Sequence, residues 1–121
     1  MHKSRLGEVT IDCRGDDLES AAAFWSAAFG YEASSFENHF VLNTPENEVL
    51  MNIQAVEHSP RVHLDIETDD IEAEVTRLEK LGAKRVRKEH RWWVMEAPTG
   101  HRFCVVKVGR AGFESNATRW K

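Results

Sequence analysis

Two side chains in the second half of the chain could do chemistry on a small molecule, His63 and Cys104. An imidazole titrates near pH 6.5, so His63 beside a carboxylate such as Asp12 or Asp65 could act as a general base. Cysteine and histidine together also support covalent catalysis. No oxyanion-hole motif accompanies Cys104, however, and cysteine is often buried as a small apolar residue. His63 is therefore the best catalytic candidate, while a histidine that only bonds neighbouring polar groups is the more ordinary interpretation.

His63 belongs to one of two matching stretches, residues 8–13 and 61–66, in which apolar and polar residues alternate. This alternation, with several β-branched residues, is typical of a half-buried strand. In the second stretch we expect His63 and Asp65 to share one face, and the apolar residues to share the face that meets the core. The residues expected on that core face are Val62, Leu64 and Ile66.

Each of these strands is followed by a similar predicted helix. The helices should begin at capping boxes, Asp16-Asp17-Leu18-Glu19 in the first half and Asp69-Asp70-Ile71-Glu72 in the second. Each should end at a glycine, Gly30 or Gly82, because glycine readily takes the left-handed conformation. Three more candidate strands follow each helix, so the order β-α-β-β-β occurs twice, in about 50 residues each.

The repeat predicts one domain, residues 1–121, with module one at 8–56, module two at 61–108 and a C-terminal tail at 109–121. A chain of this length can bury a stable core. The tail lacks strand alternation, but it carries two aromatic residues that should pack onto the domain or onto a second subunit, Phe113 and Trp120.

The composition restricts the class of protein. With 41% hydrophobic and 30% charged residues, the sequence is typical of a globular protein. A net charge of −4 argues against nucleic-acid binding, which favours a basic surface. No apolar run approaches the roughly 18 residues that span a bilayer, and we expect neither a membrane span nor a signal peptide. Two cysteines without metal-site spacing indicate no disulfide scaffold, so we expect a cytoplasmic protein with reduced thiols.

Three segments follow one another in a characteristic order: Ala23-Phe24-Trp25-Ser26-Ala27-Ala28-Phe29-Gly30-Tyr31, His63-Leu64-Asp65-Ile66, and Pro98-Thr99-Gly100-His101-Arg102-Phe103-Cys104. In this order and spacing they resemble the vicinal oxygen chelate superfamily of glyoxalase I, bleomycin-resistance proteins and extradiol dioxygenases. The resemblance covers residues 8–108 and is closest to the small glyoxalase-like branch. It implies an α+β fold in which two βαβββ modules form a U-shaped mixed sheet around a cleft, with the helices outside.

In that superfamily the metal ligands, where a metal is present, come from the first and last strands of each module. The resemblance places Asp12, Gln54, His63 and Cys104 at those positions. This set departs from the His and Glu ligands of glyoxalases and from the two-His, one-carboxylate set of iron oxygenases. We therefore favour a pocket without a metal. A bound divalent ion such as zinc would be held by Asp12, His63 and Cys104.

The alternation of the strands independently predicts a polar cleft. Polar residues of both modules fall on the face opposite the apolar residues, as a ligand-binding floor requires. One of the adjacent Trp92 and Trp93 should also point into the cleft, and we favour Trp93 as a surface on which a ligand could stack. The predicted ligand-binding residues are Asp12, Gln54, His63, Trp93, Arg102 and Cys104.

Three functional hypotheses remain open. The favoured one is a glyoxalase-like protein that binds a small molecule without a metal. The second is a divalent-metal-dependent lyase or isomerase of the glyoxalase type, in which the metal polarises adjacent substrate oxygens. The third is an interaction module whose tail aromatics bind a partner. The resemblance also implies a homodimer, because the superfamily often places its cleft at a dimer interface.

Overall fold

The computed structural model describes residues 1–121, in which nine strands and three helices form an α+β fold with an open mixed sheet. This confirms the fold class expected from the sequence. The strands are β1 (His2–Arg14), β2 (Ala33–Phe36), β3 (His39–Leu42), β4 (Leu50–Val56), β5 (Arg61–Thr68), β6 (Lys84–Glu89), β7 (Trp92–Glu96), β8 (Arg102–Lys107) and β9 (Thr118–Trp120). The helices are α1 (Leu18–Phe29), α2 (Ile71–Lys80) and α3 (Phe113–Asn116). None of the three helices has the length and apolar composition of a membrane-spanning segment.

The chain divides into two compact units, and the first consists of residues 8–63. Its strands are ordered β2-β3-β4-β1. Strands β1 and β4 run parallel, whereas β2–β3 and β3–β4 are antiparallel. The apolar residues of these strands pack with α1 in a core formed by Ile11, Ala22, Leu42 and Ile53.

Helix α1 ends at the predicted glycine, but it begins one residue later than predicted. The carboxylate of Asp17 accepts a hydrogen bond from the Ser20 backbone N–H at 3.0 Å, which satisfies one of the free donors at the helix start. The cap is thus one residue later than a capping box beginning at Asp16 would place it. At the other end Gly30 is left-handed, with φ of 78°, and its N–H donates to the Ser26 carbonyl.

The second unit consists of residues 1–7 and 64–121. Its strands are ordered β5-β8-β7-β6, with β5 and β8 parallel and the other pairs antiparallel. Asp70 caps α2 by accepting from the Ala73 backbone N–H at 3.1 Å. Helix α2 then packs on the sheet through a core formed by Val75, Leu78, Met95 and Val105.

The C-terminal tail packs back onto this second unit, which was one of the two alternatives predicted for it. Strand β9 pairs antiparallel with the start of β1, so that His2 lies opposite Trp120. The Trp120 indole N–H donates to the Ser4 hydroxyl at 2.8 Å, and the centre of its ring lies 3.7 Å from the guanidinium carbon of Arg77. Phe113 is also buried.

Two expectations about the strands need correction. Strand β1 begins at His2 rather than at residue 8, because β9 supplies a partner that the local sequence does not reveal. In β5 the expected core residues Val62 and Leu64 are 59% and 50% exposed, whereas the polar Glu67 is buried. Burial of Glu67 is tolerated because Arg5 and the Gly109 backbone N–H donate to its carboxylate.

Candidate functional site

The candidate site is organised around Asp12, whose side chain is 1% exposed. Asp12 lies on β1 directly opposite Gln54 on the parallel strand β4. The Gln54 amide nitrogen donates to Asp12 Oδ1 at 2.7 Å. A buried carboxylate is costly unless it is hydrogen-bonded, so this pair fixes both side chains on the polar face of the two strands.

Three further polar side chains surround the same carboxylate. His63 Nε2 lies 3.5 Å from Asp12 Oδ1 and also 3.5 Å from the Gln54 amide nitrogen. Arg61 Nε lies 3.5 Å and His58 Nε2 lies 3.8 Å from the other oxygen, Oδ2. We call Asp12, Gln54, His58, Arg61 and His63 the Asp12 cluster.

The cluster has a buried side, which we call the floor, and a side exposed to solvent, which we call the rim. His63 is 11% exposed, whereas His58 and Arg61 are 42% and 45% exposed. The rim residues come from the β4–β5 connection and the first residue of β5, and His63 follows two residues later on the same strand face. A ligand that arrives from solvent would therefore first contact the rim and could then reach the floor.

The electrostatics of the cluster keep Asp12 ionised. Burial by itself would raise the pKa of Asp12, but the interactions with His63 and Gln54 and the nearby His58 outweigh it and hold the pKa below its ordinary value. A permanently charged carboxylate can orient neighbouring N–H groups and stabilise positive charge on an imidazole. It cannot donate a proton at neutral pH.

His58 has a defined orientation in this arrangement. Its Nδ1 lies 2.8 Å from the backbone carbonyl of Ser59. Because a carbonyl oxygen only accepts, we assign the proton of the neutral imidazole to Nδ1. Nε2 is then the nitrogen that faces Asp12 and the surrounding solvent.

The remaining predicted site residues lie in the second unit. Cys104 on β8 is opposite Asp65 on β5, and the sulfur and the carboxylate lie within 4.8 Å of each other. Cys104 is half-buried and forms no disulfide, and Asp65 is buried. Arg102 donates from Nε to Glu96 at 3.1 Å, an ion pair with both side chains partly exposed.

Trp93 differs in orientation from the expectation. It packs against the core beneath α2, and the guanidinium of Arg85 lies 4.9 Å from its ring centre. Its register partner is the buried Val105, while Cys104 is the partner of Val94. Since side chains alternate along a strand, Trp92 rather than Trp93 shares the face of Val94.

Two residues of the Asp12 cluster were missed from the sequence. Arg61 could have been found, because it lies two residues before His63 and alternation puts both on one face. His58 could not have been found in this way, since it precedes β5 in a segment without periodicity. Its position depends on the path of the chain between β4 and β5.

Comparison with known proteins agrees with this fold. The family model of a glyoxalase-like domain matches residues 8–106. A 4-hydroxymandelate synthase mutant from Streptomyces coelicolor superposes with a TM-score of 0.56 at 16% identity, over 94% of this chain and 52% of its own. This chain therefore spans about half the length of that enzyme. Curated proteins gave no match.

Two solved structures of similar size also match. A variant of methylmalonyl-CoA epimerase from Streptomyces coelicolor, in complex with 2-nitronate-propionyl-CoA, has a TM-score of 0.57 at 17% identity, covering 87% of this chain and 97% of its own. A glyoxalase/bleomycin resistance protein/dioxygenase superfamily member from Vibrio splendidus has a TM-score of 0.52 at 16% identity, covering 80% and 97%. These likenesses show the fold alone. The match of the family model over residues 8–106 shows that the chain belongs to the family of glyoxalase-like domains.

Proposed function

We propose that this glyoxalase-like protein binds a polar small molecule at the Asp12 cluster, without a metal ion. The observation that carries the proposal is the buried Asp12 carboxylate, with Gln54 and His63 at its inner side and His58 and Arg61 at its exposed side. Ligand sites combine a fixed polar floor with groups that solvent can reach. The S. coelicolor epimerase holds a small-molecule ligand on the same fold, which supports binding of this general kind.

The donor set of Asp12 and Gln54 does not fit a metal centre. Gln54 turns its amide nitrogen, which cannot ligate a cation, towards Asp12 Oδ1. The second oxygen lies 3.5 Å from Arg61, whose positive charge would repel a bound cation. In the proposed binding mode His63 instead contacts the ligand directly, and Asp12 orients it.

The proposal can be tested by ¹H–¹⁵N NMR titration with a panel of small diols, hydroxy acids, keto acids and their amides. We expect hits to shift amide signals of residues 10–14 and 52–63 in the wild-type protein and in Asp16→Asn, whose exposed carboxylate lies outside the cluster. Asp12→Asn and His63→Ala should lose these shifts. Hits that map elsewhere, or that bind both cluster variants unchanged, would contradict the proposal.

A second candidate function is a divalent-metal-dependent lyase or isomerase. It is favoured by the close approach of the Asp65 carboxylate and the Cys104 sulfur, with His63 two residues before Asp65 on β5. Carboxylate, thiolate and imidazole are the donor types that zinc accepts. A zinc ion would supply a Lewis acid for adjacent substrate oxygens.

Elemental analysis separates the two candidates. Protein purified without added metal or chelator should contain less than about 0.1 metal ion per chain if the metal-free proposal holds. Stoichiometric zinc that is lost in Cys104→Ser and retained in Cys13→Ser would favour the lyase. Cys13 is a suitable control because it is the other cysteine of the chain, forms no disulfide and packs against the core of the first unit.

We also propose a domain organisation, an oligomeric state and a location. The modules at 8–56 and 61–108 are proposed as the functional halves of one domain, on the basis of their repeated plan. A homodimer is proposed from the family resemblance, and sedimentation giving only a monomer of 13.9 kDa would contradict it. A cytoplasmic location is proposed because neither cysteine forms a disulfide.

A further inference from the structure

Asp12 positions the guanidinium of Arg61 but accepts no hydrogen bond of ordinary length from it. Its one interaction in the protein is the ion pair of 3.5 Å between Nε and Asp12 Oδ2. This distance exceeds the roughly 2.7–3.2 Å of an N–H···O hydrogen bond. All five guanidinium N–H donors therefore remain available, on a side chain that is 45% exposed.

His58 lies near the same oxygen of Asp12, Oδ2. Its Nε2 lies 3.8 Å from Asp12 Oδ2, and its Nδ1 is held by the Ser59 carbonyl. The rim of the cluster thus combines a guanidinium and an imidazole that are both partly exposed to solvent. The Asp12 carboxylate that lies between them is 1% exposed, so its charge is buried while the guanidinium faces solvent.

The spacing along β5 links this rim to the floor. Arg61 and His63 are alternate residues of one strand, so they project from the same face about 6.6 Å apart. A single small molecule can span that distance with two polar groups. A guanidinium binds planar carboxylates through two parallel hydrogen bonds, which a neutral group cannot match.

We propose that the ligand is a small organic acid, whose carboxylate binds Arg61 beside His58 and whose second polar oxygen reaches His63. This inference rests on the proposed function and adds the chemical class of its ligand. The overall charge of −4 makes the cationic rim a local exception on an acidic protein. An acid is therefore drawn to this rim and repelled by much of the remaining surface.

A matched pair of probes tests the inference, 4-oxopentanoate and its primary amide, 4-oxopentanamide. The two have nearly the same shape and differ in charge. In NMR titrations of the wild-type protein we expect the acid to bind at least about tenfold more tightly than the amide, as expected for a hydrogen bond to a charged group. Shifts should include residues 58–63, and added salt should weaken binding of the acid more than that of the amide.

Variants identify the group responsible. Arg61→Gln should remove the preference for the acid, and Arg61→Lys should keep part of it, because lysine retains the charge but not the planar fork. Arg119→Gln removes the same charge from an exposed residue of β9 and should leave the preference unchanged. Thermal melting of each variant checks that it is folded.

The outcomes separate this inference from the proposed function. If acid and amide bind the cluster equally, or if Arg61→Gln keeps the preference, the inference is overturned while small-molecule binding at the Asp12 cluster stands. If neither probe shifts the cluster, the inference is also overturned. In that case the proposed function is tested separately, by the NMR titrations with the broader panel of small molecules.

Discussion

Gln54 and Asp12 face each other across the parallel strands β4 and β1, with 2.7 Å between the amide nitrogen and the carboxylate oxygen. This pair lies where the family resemblance placed two ligand positions. The amide of Gln54 gives the buried carboxylate a direct hydrogen-bond donor, which offsets part of the cost of its burial. The rest of the cluster is arranged around the charge that this pair fixes.

Removing the Gln54 amide should destabilise the protein. In Gln54→Ala the buried Asp12 loses its shortest hydrogen bond, so we expect the free energy of unfolding in urea to fall by about 1–3 kcal/mol. The double variant Asp12→Ala/Gln54→Ala should be less destabilised than the sum of the single variants. Strict additivity in this double-mutant cycle would show that the two side chains are not coupled.

Glu74 should make stability depend on pH in the acid range. Burial by itself would raise the pKa of Glu74, but hydrogen bonds from Arg77 and His2 outweigh it and hold the pKa below its ordinary value near 4.5. A lowered pKa in the folded state contributes stability above pH 4.5, and that contribution is lost as the pH falls through the folded value. We expect the free energy of unfolding to decline below about pH 4.5.

The matched variants for this prediction are Glu74→Gln and Glu72→Gln. The first should be less stable at pH 7 and should show a shallower decline in acid. The second changes a residue of the same helix whose carboxylate is exposed, and it should follow the wild type. If the free energy of unfolding of Glu74→Gln declined in acid as steeply as that of the wild type, the decline would be due to other carboxylates.

Gly7 is required for a close approach to Glu67. A Cβ atom at residue 7 would lie 2.7 Å from the Glu67 Cγ, and Glu67 is buried and held by Arg5 and Gly109. We expect Gly7→Ala to cost about 1–3 kcal/mol in urea unfolding, as overpacking does. Retention of full stability would mean that the strand can shift to admit a methyl group.

Trp120 should anchor the tail through its indole. Trp120→Phe keeps an aromatic ring but removes the hydrogen bond to Ser4, so a loss of about 1 kcal/mol is expected in urea unfolding. Arg119→Ala, at the exposed neighbouring position, should be close to neutral. If instead Trp120 variants keep stability and lose binding to another protein, the interaction-module hypothesis would be favoured.

Local signals were sufficient to predict the helices and most strands. The Asp and Gly residues at the helix ends act within one turn, and alternation shows which residues share a strand face. Long-range pairing could not be predicted in this way. Strand β1 extends to His2 because β9 lies beside it, over a hundred residues later in the chain.

The same limit applies to the candidate site. Alternation grouped Asp12, Gln54 and His63, and the structure brings these three together. It could not tell which face of β5 is covered, so Leu64 was expected in the core and is half exposed. His58 reaches the cluster only because of the path of the β4–β5 connection.

Whether the Asp12 cluster is the binding site is tested most directly by NMR of its imidazole rings. Long-range ¹H–¹⁵N spectra of the ring nitrogens, recorded with and without a bound small molecule from the panel, report the environment of His63 Nε2. We predict that this signal shifts on binding while the ring signals of His90, which lies outside the cluster, stay in place. A ligand that binds the protein and leaves the His63 and His58 rings unchanged would contradict the assignment of the Asp12 cluster as the binding site.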